Sequence, residues 1–303
     1  MTTAFITHPD CLKHEMGPHH PECPARLQAV YDAFEQSGLM AQLQHVEAPL
    51  ASREQLAAAH AQHYVDGIFA SAPQHDYFSL DPDTSMNPYS LVAAQRASGA
   101  VIKGVEMVMV GEVASAFCAV RPCGHHATHD RSMGFCIFNN VAVGAAHALQ
   151  TYGLDRVAIL DFDVHHGNGT EDIFTDDERV MLCSSFQHPY YPGTGANSGN
   201  SHIIPTPLSA RTAGPAFRAA IEKTWLPALA EFQPELIIIS AGFDAHADDP
   251  LAYLELVEDD YTWITQRIRE VADTYAEGRI VSALEGGYSL SALGRSAVAH
   301  VRA

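Results

Sequence analysis

Four short stretches of this chain carry ionisable side chains at spacings that suit metal and proton-transfer chemistry. RPCGHHATHD sets His125 beside His126, and DFDVHHGNGT carries Asp161, Asp163, His165 and His166. SAGFDAH brings Asp244 and His246, and LEGGY brings Glu285 and Tyr288. One imidazole, two carboxylates and an open position for water satisfy a hard-to-borderline divalent cation. Asp163 and His165 lie two apart, so an extended strand end sends both toward one metal, and Asp244 completes the set. The plainer alternative has Asp161 and Asp163 capping a following helix, with His165 a satisfied polar core residue. Adjacent imidazoles at 125 and 126 suit a division of labour, one accepting a proton while the other stabilises charge. Taken alone, such a pair is a turn or a cavity wall. Each ring needs an orienting partner, and Asp161 and Asn168 are the nearby candidates. Tyr288, after Gly286 and Gly287, is placed to swing in toward a developing oxyanion, unless it simply packs beside a glycine turn.

The elements that must position these residues alternate short apolar strands with 3.6-period segments. Strands are expected at Ala4–His8, Ser115–Val120, Arg156–Asp163, Val180–Ser185, Leu236–Ala241 and Arg279–Leu284. Helices are expected at Pro24–Ser37, from Ser52 to about Ser71, from Pro88 to about Val110, and at Asn139–Tyr152. Ala213–Glu231, Glu258–Ala276 and Ser291 onward complete the helical set. The RVAILDFD run is apolar on both faces and ends in acids, as a buried strand of a parallel sheet does. The stretch from Gln187 to Pro207 reads as a long irregular loop, which in a compact domain is more often functional than idle. No repeat or linker interrupts the alternation. The expected architecture is therefore a single α/β domain over residues 1–303, a mostly parallel sheet with helices on both faces. Sites in such sheets form beyond the carboxyl ends of the strands, and all four motifs follow an apolar run.

Composition narrows the classes further. The chain has 303 residues, 47% apolar and 17% charged, which suits a packed globular protein. Its 17 basic and 36 acidic side chains give a net charge of −19, which argues against a nucleic-acid surface. No apolar stretch is long enough to span a membrane. No signal-like segment opens the chain, and its six cysteines lack a CxxC pair, so the expected setting is the cytoplasm with reduced thiols. The 18 histidines point to metal or proton-transfer chemistry. No motif sets an oligomeric state.

With these residues assembled, the chain resembles the arginase–deacetylase superfamily, and within it the class II-like bacterial histone deacetylase homologues. The matching blocks are HPECPARL, RPCGHHA, MGFCIFNNVA, LDFDVHHGNGT, YYPGTG, SAGFDAH and LEGGY, in family order from His20 to Tyr288. The resemblance implies a Zn2+ ion, or Fe2+, held by Asp163, His165 and Asp244. It makes His126 the general base and acid, His125 its electrostatic partner oriented by Asp161, and Tyr288 the donor that polarises the carbonyl. Asn168 would orient His126, the class II-like choice where class I has Asp. A structural K+ ion would take main-chain oxygens of Asp161, Asp163, His165 and Ser185 with the Ser184 hydroxyl. Phe135 and Tyr191 would wall an acyl-lysine tunnel beside Gly134. Asp83 would grip the substrate backbone, and Arg26 would lie near an acetate-release cavity.

The implied reaction is hydrolysis of an acyl amide, from an acetylated lysine peptide or protein or from a small acetylated amine such as an acetylpolyamine; the alternative outside catalysis is a silent acyl-lysine binding module that keeps the pocket. Some polyamine-selective members place an acid after the Asp-Pro that follows the third ligand. Here that position is Leu251, which favours acyl-lysine peptides. The chain departs from the family at Cys123, where a second proline is usual, and at Phe186, where histidine is common.

Overall fold

The computed structural model describes residues Thr2–Ala303. Its strands are β1 (Thr3–Thr7), β2 (Gln44–Glu47), β3 (Phe78–Asp81), β4 (Thr84–Met86), β5 (Ser115–Cys118), β6 (Val157–Asp161), β7 (Val180–Gln187), β8 (Ile203–Leu208), β9 (Leu236–Ala241) and β10 (Ile280–Leu284). Its α-helices are α1 (Pro24–Gln36), α2 (Arg53–Leu56), α3 (Gln62–Ser71), α4 (Ser90–Met109), α5 (Asn140–Tyr152), α6 (Asn168–Phe174), α7 (Gly214–Phe232), α8 (Glu258–Tyr275) and α9 (Leu290–Arg302). Eight strands form one sheet in the order β2-β1-β5-β10-β9-β6-β7-β8, every pair parallel. β3 and β4 make a separate antiparallel hairpin.

The central strands β6 and β9 are buried at every residue, as helix layers on both faces require. α4 and α5 pack together on one face, while α1, α9, α8 and α7 form a chain of neighbours on the other. On β10 the alternation is visible residue by residue. Val281 faces Gly104 of α4, and Ser282 hydrogen-bonds His300 of α9 at 2.8 Å.

Three expectations change. The helix expected from Ser52 to about Ser71 is two helices: a capping box of Ser52 and Gln55 opens α2, which ends after a single turn at Leu56. The chain then turns away, with Ala61 N–H donating to the His129 carbonyl at 2.8 Å before α3 begins. The stretch Gln187–Pro207 is not wholly irregular: β7 runs into it and β8 occupies its end, with Pro205 and Pro207 tolerated on an edge strand. The Ser115–Val120 and Arg156–Asp163 strands both stop two residues early, at Cys118 and Asp161.

The chain runs from β5 directly to β6, three places along the sheet, and only later fills the gap with β9 and β10. The crevice at the carboxyl ends of β5, β10, β9 and β6 is the ligand position that such an order creates.

Candidate metal centre and active site

β6 ends at Asp161, and the chain continues through Asp163 and His165. β9 ends at Ala241, three residues before Asp244. One ligand atom each from Asp163, His165 and Asp244 lies within 4.8 Å of the other two. His165 Nδ1 is 3.1 Å from Asp163 Oδ1 and 3.2 Å from Asp244 Oδ2. The carboxylates are aimed by backbone amides: Gly286 N–H donates to Asp163 Oδ2 and Val164 N–H to Asp244 Oδ1, both at 2.8 Å. A Cβ on Gly286 would strike both carboxylates, so only glycine passes there. Asp244 Oδ2 is buried and has no hydrogen-bond partner. An orphaned carboxylate oxygen beside a second carboxylate and an imidazole fits a divalent cation. Burial and the Asp163 charge push the Asp244 carboxyl up to about 7. Burial opposes the charged form of His165, but Asp163 and Asp244 outweigh it and carry it to about 10. Neither Asp161 nor Asp163 caps a helix, since α6 begins only at Asn168 with Gly167 at its N-cap.

The two adjacent histidines lie with ring centroids 4.0 Å apart, and His126 is 5.8 Å from His165. His125 Nδ1 pairs with Asp161 Oδ2 at 2.8 Å, and His126 Nδ1 with Asn168 Oδ1 at 2.7 Å. Both sequence candidates for orienting partners are therefore in contact, one on each ring. The consequences diverge. Burial works against a charged His125, yet Asp161 and Asp163 outweigh it and hold the ring well above its ordinary value. Burial, then the charges of His125 and His165, push His126 well below.

The pocket walls are also assembled. Gly134 and Phe135 both take positive φ, +57° and +69°. The β3–β4 turn fixes that conformation: Gly134 N–H donates to Asp83 Oδ1 at 3.2 Å and Phe135 N–H to Thr84 Oγ1 at 3.0 Å. A Cβ on Gly134 would run into the His126 ring. Tyr191 stands edge-on to His126 at 5.1 Å, and Phe135 edge-on to Tyr288 at 6.1 Å. Leu251 lies further out, its carbonyl accepting the Tyr190 hydroxyl at 2.8 Å. Arg26 is fully buried, 4.9 Å from the Tyr288 ring centroid, and donates to the Gly287 carbonyl (2.6 Å), the Glu285 carbonyl and Glu22 (3.1 Å). Around the expected K+ position, Asp161 and Ser184 are register partners of β6 and β7, and the Ser184 hydroxyl meets His166 Nδ1 at 3.0 Å. Phe186 packs on His166 at 4.6 Å.

Several supporting residues lay outside the sequence reading. Glu22, from HPECPARL, is fully buried between Arg121, Arg26 and His14. Asp249 accepts the backbone N–H groups of Tyr288 (2.7 Å) and Ser289 (3.2 Å), fixing the turn that carries the tyrosine. Glu285, noted only as an ionisable strand end, accepts the backbone N–H groups of Gly124 (2.6 Å) and His125 (3.2 Å). Burial raises its carboxyl to about 7. The available signal for Glu285 was an acid closing an apolar strand run just before a glycine pair, which marks it as ionisable but not what it holds; Glu22 and Asp249 carried none.

Residues 20–303 match the histone deacetylase domain family. The chain is 39% identical over 302 residues to the "Uncharacterized protein slr0245" of Synechocystis sp., covering 97% of each. It is 36% identical over 311 residues to the histone deacetylase-like amidohydrolase of Pseudomonas aeruginosa, covering 95% of this chain and 82% of that one. The crystal structure of the HDA15 HD domain matches with a TM-score of 0.93 at 33% identity, over 99% of this chain and 87% of its own.

Proposed function

Because the chain belongs to the histone deacetylase family of deacetylases and amidohydrolases, we propose that it removes acetyl or related acyl groups from lysine side chains of peptides or proteins. Asp163, His165 and Asp244 would hold a divalent cation, zinc or iron(II). Such an ion supplies Lewis acidity toward the amide carbonyl and lowers the pKa of a water.

The observation that carries the reading is the pairing of two imidazoles with two different partners beside that ligand set. The Asn168 carbonyl oxygen only accepts, so His126 Nδ1 carries a proton and Nε2 is the basic atom. His126 is thus set to take the proton of the attacking water and return it to the leaving amine. His125, paired with the carboxylate of Asp161, keeps a charge beside it. Tyr288 would donate to the oxyanion, on a turn held by Asp249 and Arg26. Phe135 and Tyr191 offer aromatic walls for an acyl-lysine stem, and Asp83, Gly134 and Leu251 its rim. The main-chain oxygens around Asp161, Asp163, His165 and Ser185, with Ser184, would hold K+. Six free cysteines suit the cytoplasmic setting, and no helix among the described residues is long and apolar enough to cross a membrane.

The test offers acetyl-lysine peptides and acetylpolyamines side by side to metal-loaded and chelator-stripped protein. Metal-dependent cleavage of the peptide, abolished in His126→Ala and in Asp244→Ala, is the expected result. A clear preference for the polyamine would overturn the substrate assignment, and full turnover by either variant would overturn the roles.

A further inference from the structure

Cys123 stands where a proline is usual, and the structure gives that cysteine company. Its sulfur lies 3.5 Å from the sulfur of Cys136, and the two thiols share the Gly134 carbonyl as acceptor. Glu285 joins them: one ligand atom from each of Cys123, Cys136 and Glu285 lies within 4.8 Å of the others. All three side chains are buried. The carboxylate is already aimed. Its Oε2 is fixed by the Gly124 and His125 amides, while Oε1 has no partner at all.

We propose that Cys123, Cys136 and Glu285 form a second cation site, selective for a thiophilic divalent ion such as Zn2+ or Cd2+ and separate from the Asp163–His165–Asp244 centre. Two thiolates at about 2.3 Å from a tetrahedral ion stand about 3.8 Å apart, close to the separation seen here. Binding exchanges the two thiol protons for one cation, M2+ plus two R–SH giving M(SR)2 plus two H+ released to solvent. Two thiolates, one carboxylate and one divalent ion carry a net charge of −1. Arg26, within electrostatic range of Cys123, is the compensating cation. The Gly124 and His125 amides act as the outer shell that orients the carboxylate ligand. An ion here ties together the loop before His125, the Phe135 loop and the end of β10. Phe135 packs on the cluster and is only partly buried, which leaves an approach from the pocket side.

Cobalt(II) separates the two sites by spectrum, since the ligand set at Asp163, His165 and Asp244 contains no sulfur. Metal-stripped, reduced full-length protein is titrated with Co2+ while bound metal and the near-ultraviolet thiolate-to-cobalt charge-transfer band are recorded. The expected result is two ions per chain and a band that follows one of them. Cys123→Pro, which restores the residue usual at this position, and Cys136→Ala should each bind one ion and lose the band. Asp244→Ala should also bind one ion but keep the band, which makes failure at either centre distinguishable from failure at the other. Binding of a single ion without the band in the wild-type protein would overturn the proposal. So would a band that survives both cysteine variants.

Discussion

Glu22 is one buried anion serving two buried cations. Its Oε1 meets Arg121 Nε and its Oε2 meets Arg121 Nη2, both at 2.5 Å, and Arg26 Nη1 stands 3.1 Å from Oε1. All three side chains have no exposed surface. Burial alone would raise the carboxyl, but Arg121, His14 and Arg26 outweigh it and hold it down to about 2. Glu22→Gln keeps the shape and removes the charge, leaving two guanidiniums in a low-dielectric setting without a counterion. Breaking a buried pair in this way costs about 3–5 kcal/mol. For 303 residues the unfolding entropy is about 0.6 kcal/mol/K near the melting temperature, so a loss of about 4 kcal/mol lowers Tm by about 6 °C. Urea unfolding followed by circular dichroism measures the free energy directly. Asp66→Asn is the control, because the Arg53–Asp66 pair is half exposed and its loss should stay within about 1 kcal/mol. Arg121→Gln combined with Glu22→Gln removes one of the orphaned cations, so the double variant should lose less than the sum of the singles. A Glu22→Gln loss no larger than that of Asp66→Asn, or strict additivity with Arg121→Gln, would refute the view that this carboxylate holds the arginines in place.

Further outcomes follow from the same contacts. Burial pushes His60 and His300 down to about 4 from 6.5, so the unfolded chain takes up their protons first as pH falls. Their stabilising effect is complete above pH 6.5 and lost toward pH 4, about 3 kcal/mol each at the acid limit; a urea midpoint indifferent to pH across that window would contradict this. Asn168→Ala removes the acceptor at His126 Nδ1 and should lower kcat about 10- to 100-fold with metal content unchanged, measured by steady-state kinetics on an acetyl-lysine peptide. Gly134→Ala imposes a Cβ on the His126 ring at a left-handed backbone position, and should cost at least about tenfold in kcat/KM while leaving the circular dichroism spectrum intact.

What the sequence made legible has a physical signature. β6, β9 and β10 are near-continuous apolar runs because both their faces are covered, and the ionisable residues that follow them stand out against those runs. What it hid lacks such contrast. β2 is the short edge strand Gln44–Glu47, whose mixed sequence alternates between half-buried and exposed, and β8 carries two prolines that only an edge position tolerates. The β3–β4 hairpin is exposed along Phe78–Ser79 and its second strand buries only Thr84 and Met86, too short an alternation to stand out, yet its turn sets the conformation of Gly134 and Phe135.

The supporting shell of the site was hidden for a different reason, which is topological. Glu22 and Arg121 are 99 positions apart, and Glu285 is 160 from the His125 amide it holds. No periodicity reports such a pairing. It exists because β10, the last strand in the chain, is inserted between β5 and β9, so that the turn after β10 lies beside the loop after β5. The sheet order decides which strand ends become neighbours, and through that which acid holds which amide. A motif names the residues that do chemistry from their types alone. The residues that hold them still can be identified only once the order of strands is known, and Glu285 shows the difference, since its neighbours on both sides, Leu284 and Gly286, give no hint that its carboxylate reaches across to residues 124 and 125.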